Sequence, residues 1–186
     1  MVLYVLHNVC VGEVGSGPHR TSLWWNPHFD EFSTEPRRIG RGGILADSMG
    51  MGKTVVTLEL LMRRNEGMKA MVRDPSSPVK HHATLVIVPA TVMTQWIGEV
   101  SSKTDLKPLK FHGTRRPSTF QGITSLDPDV VVTTYRTMAR EYRSKRDASA
   151  LFSHTWARIV LDESHSIKNS KSATARAALK LKGAFK

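Results

Sequence analysis

The chain has 186 residues, 40% of them hydrophobic, enough to bury one sizeable core, and it carries a formal net charge of +11. Its single cysteine, Cys10, excludes an internal disulfide and any zinc centre built on several thiolates, so no zinc is expected in this chain. Residues 1–11 are apolar but lack a basic leading segment and are interrupted by His7 and Asn8. That excludes a good signal peptide, and eleven residues are too few to span a membrane; the segment reads as a buried strand or a chain end. Further along, Trp24-Trp25-Asn26-Pro27 and Ser33-Thr34-Glu35-Pro36 read as turns around a few aromatic anchors. Residues 43–46 read as a short buried strand. Residues 53–64 follow as a helix, with Val55, Val56, Leu58, Leu61 and Met62 apolar and Glu59 and Arg63 outward. Residues 65–83, with Asp74-Pro75-Ser76-Ser77-Pro78, read as a loop.

Residues 84–88 form a continuous apolar run closed by Pro89, as a strand buried on both faces requires. A helix is expected over 92–100, and strands over 130–133 and 158–161. Ser172 can cap a last helix over 173–182, stopped at Gly183. Strands alternating with helices predict a parallel, helix-covered α/β sheet. The expected division is an N-terminal extension over 1–38 and one α/β lobe over 39–186.

Charge is unevenly distributed. Residues 1–60 hold five basic and six acidic side chains, whereas 136–146 hold five basic and one acidic, and 168–186 hold six basic and none acidic. Such clusters are the footprint of a bound polyanion, against the plainer alternative of a solvated face.

Two stretches carry chemistry. Residues 42–54 read Gly-Gly-Ile-Leu-Ala-Asp-Ser-Met-Gly-Met-Gly-Lys-Thr, an apolar run breaking into a glycine loop that ends in Lys-Thr. Glycines let successive backbone N–H groups converge on phosphate oxygens, and the following helix adds its positive N-terminus. Lys53 can reach terminal phosphates, and the Thr54 hydroxyl can reach Mg²⁺. The strict pattern has glycine where this chain has Asp47, so the loop alone leaves open a glycine turn that binds nothing. The second stretch, Ile159-Val160-Leu161, ends in Asp162-Glu163. A carboxylate at a strand end can hold a metal through water, and its neighbour can orient and deprotonate an attacking water. Together the two stretches are complementary halves of a magnesium–nucleoside triphosphate site.

With these residues in place, the chain resembles helicase superfamily two, in particular the Snf-type DNA translocases. Their first motif is similar to 43–54, including Asp at the position of Asp47; this chain departs at Ser48, usually Glu, and Met51, usually Leu. Leu85-Val86-Ile87-Val88-Pro89-Ala90 with Trp96 resembles the second block, Phe111-His112-Gly113 the Tyr-His-Gly turn, and Val132-Thr133-Thr134-Tyr135 the Thr-Thr-Tyr block. The run from Trp156 to Asn169 resembles the Asp-Glu-x-His block. The approach Trp24-Trp25-Asn26 to Phe32-Ser33 looks most like the post-replication-repair branch, the helicase-like transcription factor group. Members of that branch carry a RING finger, which one cysteine cannot build.

The resemblance implies a P-loop, RecA-like fold and several roles. Asp47, Ser48, Met49, Gly50, Met51, Gly52, Lys53 and Thr54 would cradle ATP, and Thr54 and Asp162 would hold Mg²⁺. Lys53, Asp162 and Glu163 would be catalytic, with His165 coupling the site to its neighbours. Pro89, Ala90, Thr91, Thr133, Thr134 and Tyr135 would face double-stranded DNA or chromatin. It also implies a nuclear DNA-dependent ATPase of repair or remodelling, for which 168–186 could serve as a basic address. The family continues into a Thr-Gly-Thr-Pro strand and a second RecA-like lobe with arginine fingers, neither of which is found in these 186 residues. The expectation is therefore an incomplete single lobe, deficient in turnover on its own. The alternatives are a non-catalytic nucleic-acid-binding remnant with a residual nucleotide site and, less favoured, a strand-separating helicase.

Overall fold

The computed structural model describes residues 9–14, 21–26, 31–34, 43–48, 50–73, 75–145 and 148–185. They fall into two compact units, one within Tyr4–Gly43 and one within Ile44–Lys186. The boundary expected at 38/39 lies outside the described residues, as do residues 1–8 of the apolar opening segment.

The smaller unit is an antiparallel meander of β1 (Val9–Val14), β2 (Thr21–Asn26) and β3 (Glu31–Ser33), in the order β1-β2-β3. Trp24, Trp25 and Asn26 are therefore strand residues, not a turn. Trp24 pairs with Cys10 and Ser33, and Trp25 with Phe32. Aromatic side chains suit a pleated surface, and that preference outweighs the turn signal of the following proline. Of the second expected turn, Ser33 closes β3 and Thr34 is a bend; Pro27, Glu35 and Pro36 lie outside the described residues.

The larger unit contains α1 (Lys53–Arg73), β4 (Thr84–Val88), α2 (Met93–Lys103), β5 (Pro108–Lys110) and α3 (Phe120–Thr124). It continues with β6 (Val130–Thr134), α4 (Tyr135–Lys145), β7 (Thr155–Leu161), α5 (Ala173–Lys180) and β8 (Lys182–Phe185). The sheet order is β5-β6-β4-β7-β8 and every pairing is parallel. Parallel neighbours need long crossovers, which the helices supply.

Alternation along the strands sends side chains to two cores. Val86, Val88, Val130, Val132 and Val160 pack with Leu58 and Leu61 of α1 and Met93, Trp96 and Val100 of α2. Leu85, Ile87, Val131 and Ile159 pack on the other face with Met138 of α4, Ala177 of α5, Phe111 and Trp156. All five residues of β4 and of β6 are buried, as expected of strands covered on both sides. Each fully buried Val, Leu or Ile contributes roughly 1.5–3 kcal/mol, so the sheet is held by its two faces more than by its ladders.

Three expectations need correction. Residues 43–46 are not a strand: residues 43–48 have no regular structure, and Ile44 is 74% exposed. A four-residue apolar run becomes a strand only where a partner takes up its backbone groups, and this one pairs with no strand of either sheet. Helix α1 continues to Arg73, so the first part of the expected loop is helical. The last helix ends at Lys180, not Lys182, and Gly183 belongs to β8. A Cβ at Gly183 would lie 2.8 Å from Ile159 Cδ1, so glycine here permits close strand approach and does not stop a helix. Ser172 does cap α5, its Oγ accepting from the Ala175 amide at 3.0 Å.

Candidate nucleotide site

Because the sheet is parallel, the loops that follow β5, β6, β4 and β7 all emerge at one edge. Ligands of open α/β sheets bind at that edge, the carboxyl ends of the strands. The expected chemistry converges there. A cleft of about 330 Å³ is lined by Gly50, Gly52, Lys53 and Thr54 together with Asp162 and Glu163. Two segments a hundred residues apart in sequence thus share one cavity.

Gly50 and Gly52 have φ of +83° and +75°. A Cβ at either would meet no atom within 4 Å, so glycine is selected by backbone conformation and the space above the loop is open. Lys53 folds over this space, its Nζ donating to the carbonyls of Asp47 and Ser48 at 2.9 Å each. Asp47, Ser48 and Met51 are exposed, and Met49 lies outside the described residues. Thr54 and Lys53 open α1, whose N-terminus faces the cleft with its positive dipole end.

The opposite wall is tightly held. The Asp162 amide donates to the Ile87 carbonyl at 2.9 Å, carrying the β4–β7 register one residue past the strand. Its carboxylate accepts from the Trp96 indole N–H at Oδ2 (2.7 Å) and from the Glu163 amide at Oδ1 (3.0 Å). The Tyr135 hydroxyl donates to the Asp162 carbonyl at 2.8 Å. Burial, with the charges of Asp162 and Glu163 behind it, raises the Tyr135 pKa, so the phenol stays protonated as a donor. Glu163 sits in the left-handed region at φ +49°, a conformation costing a side-chain-bearing residue roughly 1–2 kcal/mol. Such strain is concentrated at functional sites. The Glu163 carboxylate lies 3.0 Å from His165 Nδ1, and His165 is exposed.

The DNA-facing expectation divides in two. Ala90 and Thr91 are exposed and Pro89 half-buried, at the end of β4. Thr133, Thr134 and Tyr135 are buried and committed inward. Thr133 donates to the Phe111 carbonyl, Thr134 to the Thr137 hydroxyl, and Tyr135 to Asp162. Tyr135 reaches the acidic pair, whereas Thr133 and Thr134 tie the end of β6 to Phe111 and to the first turn of α4.

The sequence reading gave no role to one side of this cleft. Gln95, Glu99 and Lys103 of α2 line it along with Trp96. Gln95 donates to Glu99 at 2.8 Å, and Glu99 pairs with Lys103 at 3.5 Å. Their i, i+4, i+8 spacing opposite the buried Met93, Trp96 and Val100 marks a polar helix face, but spacing alone does not tell that this face borders a cavity. The donor set fits a magnesium nucleotide: the amides of the glycine loop, the Lys53 ammonium, the Thr54 hydroxyl at a helix start, and the oriented Asp162–Glu163 carboxylate pair.

Fold and cleft define a P-loop, RecA-like nucleotide-binding lobe. Comparison with known proteins gives its family: the SNF2-related domain matches residues 20–186, and the chain belongs to that family. DNA repair protein rad8 of Schizosaccharomyces pombe is 38% identical over 149 residues, covering 74% of this chain and 13% of that protein. Transcription termination factor 2 of Drosophila melanogaster is 34% identical over 182 residues, covering 83% and 17%. DNA repair protein RAD5B of Arabidopsis thaliana is 34% identical over 166 residues, covering 77% and 13%. The SWI2/SNF2 ATPase core of Sulfolobus solfataricus, solved in complex with dsDNA, matches with a TM-score of 0.56 and 28% identity, over 75% of this chain and 25% of that one. The chain thus spans less than a fifth of the length of these curated relatives. Among the described residues, no helix is long and apolar enough to cross a membrane.

Proposed function

We propose that this chain is the ATP-binding part of a DNA-dependent ATPase, a translocase acting on duplex DNA or chromatin in DNA repair in the nucleus. The observation that carries the reading is the shared cleft, in which the glycine loop and Lys53-Thr54 meet Asp162-Glu163. The names of the relatives support repair, and the DNA in the Sulfolobus core supports a duplex partner.

In this reading the loop amides at Gly50 and Gly52, with Lys53, hold the phosphates of ATP, while Thr54 and Asp162 hold Mg²⁺. Bound magnesium ATP supplies a phosphoanhydride whose hydrolysis drives movement. Glu163 orients and deprotonates the attacking water, and His165 sets the position of the Glu163 carboxylate. Trp96 and the Glu163 amide fix the rotamer of Asp162, so the metal ligand is oriented in advance. Tyr135 links the β6 end to the Asp162 backbone, a route by which a strand-end loop bearing on DNA can bias the acidic pair. Ala90 and Thr91 are the direct candidates for backbone contact with DNA.

The test is ATP hydrolysis, with and without duplex DNA, by this lobe joined to a second RecA-like lobe of the family, beside Glu163→Gln in the same context; the lobe alone is expected to turn over negligibly. The reading expects stimulation by DNA and a loss of about 10²–10⁴ in turnover in the variant, with nucleotide binding retained. Turnover indifferent to both DNA and Glu163 would overturn it.

A further inference from the structure

The amino edge of the sheet, opposite the nucleotide cleft, gathers a different chemistry. His81 and His82 lead into β4, Asp127 and Asp129 into β6, and His154 into β7. Because β4 lies between β6 and β7, segments distant in sequence meet at these strand starts. Among the described residues, His81, His82 and Asp127 each bring one donor atom to within 4.8 Å of the other two.

Neighbouring groups position the set. His82 Nε2 lies 3.0 Å from Asp129 Oδ1, and the other oxygen of Asp129 accepts from the Lys107 amide at 2.9 Å. An ionised carboxylate only accepts, so Nε2 of the neutral ring carries its proton and Nδ1 keeps its lone pair. A carboxylate placed behind a histidine in this way orients metal-ligating imidazoles. The His81 ring stacks on His82 with centroids 4.6 Å apart, and Phe120 stands edge-on to His81 at 6.4 Å, an apolar flank to the cluster.

Two observations point to a cation. His81 is 8% exposed, yet its Nε2 is buried and has no hydrogen-bond partner. A buried polar atom left in that state is rare in a native fold and marks a missing ligand or a function. The same atom lies 3.4 Å from Asp127 Oδ1. A tetrahedral ion with ligands at about 2.0–2.1 Å holds its donors roughly 3.4 Å apart, so this pair already has the spacing of two ligands. The Asp127 side chain is mostly exposed, which leaves the ion a path of entry and room for water. Two imidazoles and a carboxylate, with water in the fourth position, suit zinc. No thiolate takes part, so the single cysteine has no bearing on this site.

We infer that His81 Nε2, His82 Nδ1 and a carboxylate oxygen of Asp127 bind a zinc ion at the amino edge of the sheet. Coordination moves the His81 ring proton from Nε2 to Nδ1 and gives up the bond that Nδ1 accepts from the Ala83 amide at 3.1 Å. That loss weakens binding by roughly one to two powers of ten, so the dissociation constant is expected on the order of micromolar, above that of closed four-ligand centres. The ion ties the segment before β4 to the turn before β6, where Asp127 takes φ +44°.

The experiment titrates Zn²⁺ by calorimetry into the untagged full chain after treatment with a chelator, and repeats the titration with Co²⁺, whose visible absorption reports its ligands. Asp127→Asn removes the anionic donor and keeps a residue that tolerates positive φ. His81→Asn keeps an acceptor for the Ala83 amide and deletes Nε2. His82→Gln removes the third donor, and His112→Gln, a histidine at the opposite edge, is the control. Wild type should bind one equivalent, each donor variant should bind at least about tenfold more weakly, and the control should match wild type. Asp127 is exposed, so Asp127→Asn decides the matter even where a histidine variant unfolds. Wild type that takes up no zinc overturns the site. Binding that Asp127→Asn leaves at wild-type strength also overturns it, as does a control weakened as much as the donor variants, because the ion then sits elsewhere.

Discussion

His154 should make this fold acid-labile, and replacing it should remove that lability. Its ring stacks on Phe120 with centroids 3.5 Å apart and tilts against Trp156 at 4.4 Å. Neither ring nitrogen has a hydrogen-bond partner among the described residues. Burial first, and then the nearby His81, hold its pKa down at about 3. The folded pKa lies below the unfolded value near 6.5, so the unfolded chain binds the extra proton. Stability is fully present above pH 6.5 and is lost as pH falls toward 3. At pH 5 the folded ring is still neutral, and over 1.5 pH units the loss is about 2 kcal/mol. His81, buried and pushed the same way by burial and His82, adds to that slope. His154→Phe keeps the stacking and replaces two unsatisfied nitrogens with carbon, so it should stabilise the protein by about 1 kcal/mol or more at pH 7.5. Urea unfolding followed by tryptophan fluorescence, with Trp156 as a local reporter, gives both numbers at pH 7.5 and pH 5. A variant that loses as much stability between those pH values as wild type, or that is weaker at pH 7.5, would refute the reasoning.

Two further substitutions test single polar supports of the lobe. Trp96→Phe removes the indole N–H from Asp162 and should lower unfolding free energy by about 2 kcal/mol, measured in urea; an unchanged midpoint would mean the bond holds nothing. Glu141→Gln leaves the Arg116 guanidinium without its charge partner. It should lower stability by about 3 kcal/mol, read as a fall of about 6–12 °C in melting temperature, and an unshifted melting curve would contradict the buried pair.

Much of the larger unit was legible in the sequence because its central strands are short apolar runs closed by a polar residue or proline. Thr84–Val88 was read at its observed bounds, and β6 and β7 differ from expectation only at their ends. The glycine loop and the acidic pair were legible for a related reason, since each has few chemical alternatives. What escaped lay where tertiary contact overrides local signal. Lys182–Phe185 follows a helix and contains a glycine, and only parallel pairing with Thr155, Trp156 and Arg158 of β7 makes it a strand. Residues 43–46 have a strand's composition without a partner. Thr133, Thr134 and Tyr135 were assigned to a surface by resemblance, whereas the hydrogen bonds that bury them involve Phe111, Thr137 and Asp162. A cleft lined by Arg136, Arg140 and Arg143 was half visible as a basic run over 136–146; its other wall, Arg116 with Gly113, comes from a turn that no periodicity links to α4.

The central claim is that a triphosphate is held where the loop ending at Lys53 faces Asp162 and Glu163. Equilibrium binding of a fluorescent ATP analogue to the chain, with and without Mg²⁺, tests it when wild type is set beside Lys53→Ala and Glu163→Gln. The account expects magnesium-dependent binding that Lys53→Ala weakens at least about tenfold, the loss of one charge-assisted phosphate contact, and that Glu163→Gln leaves intact. Binding indifferent to both Lys53 and magnesium would contradict it.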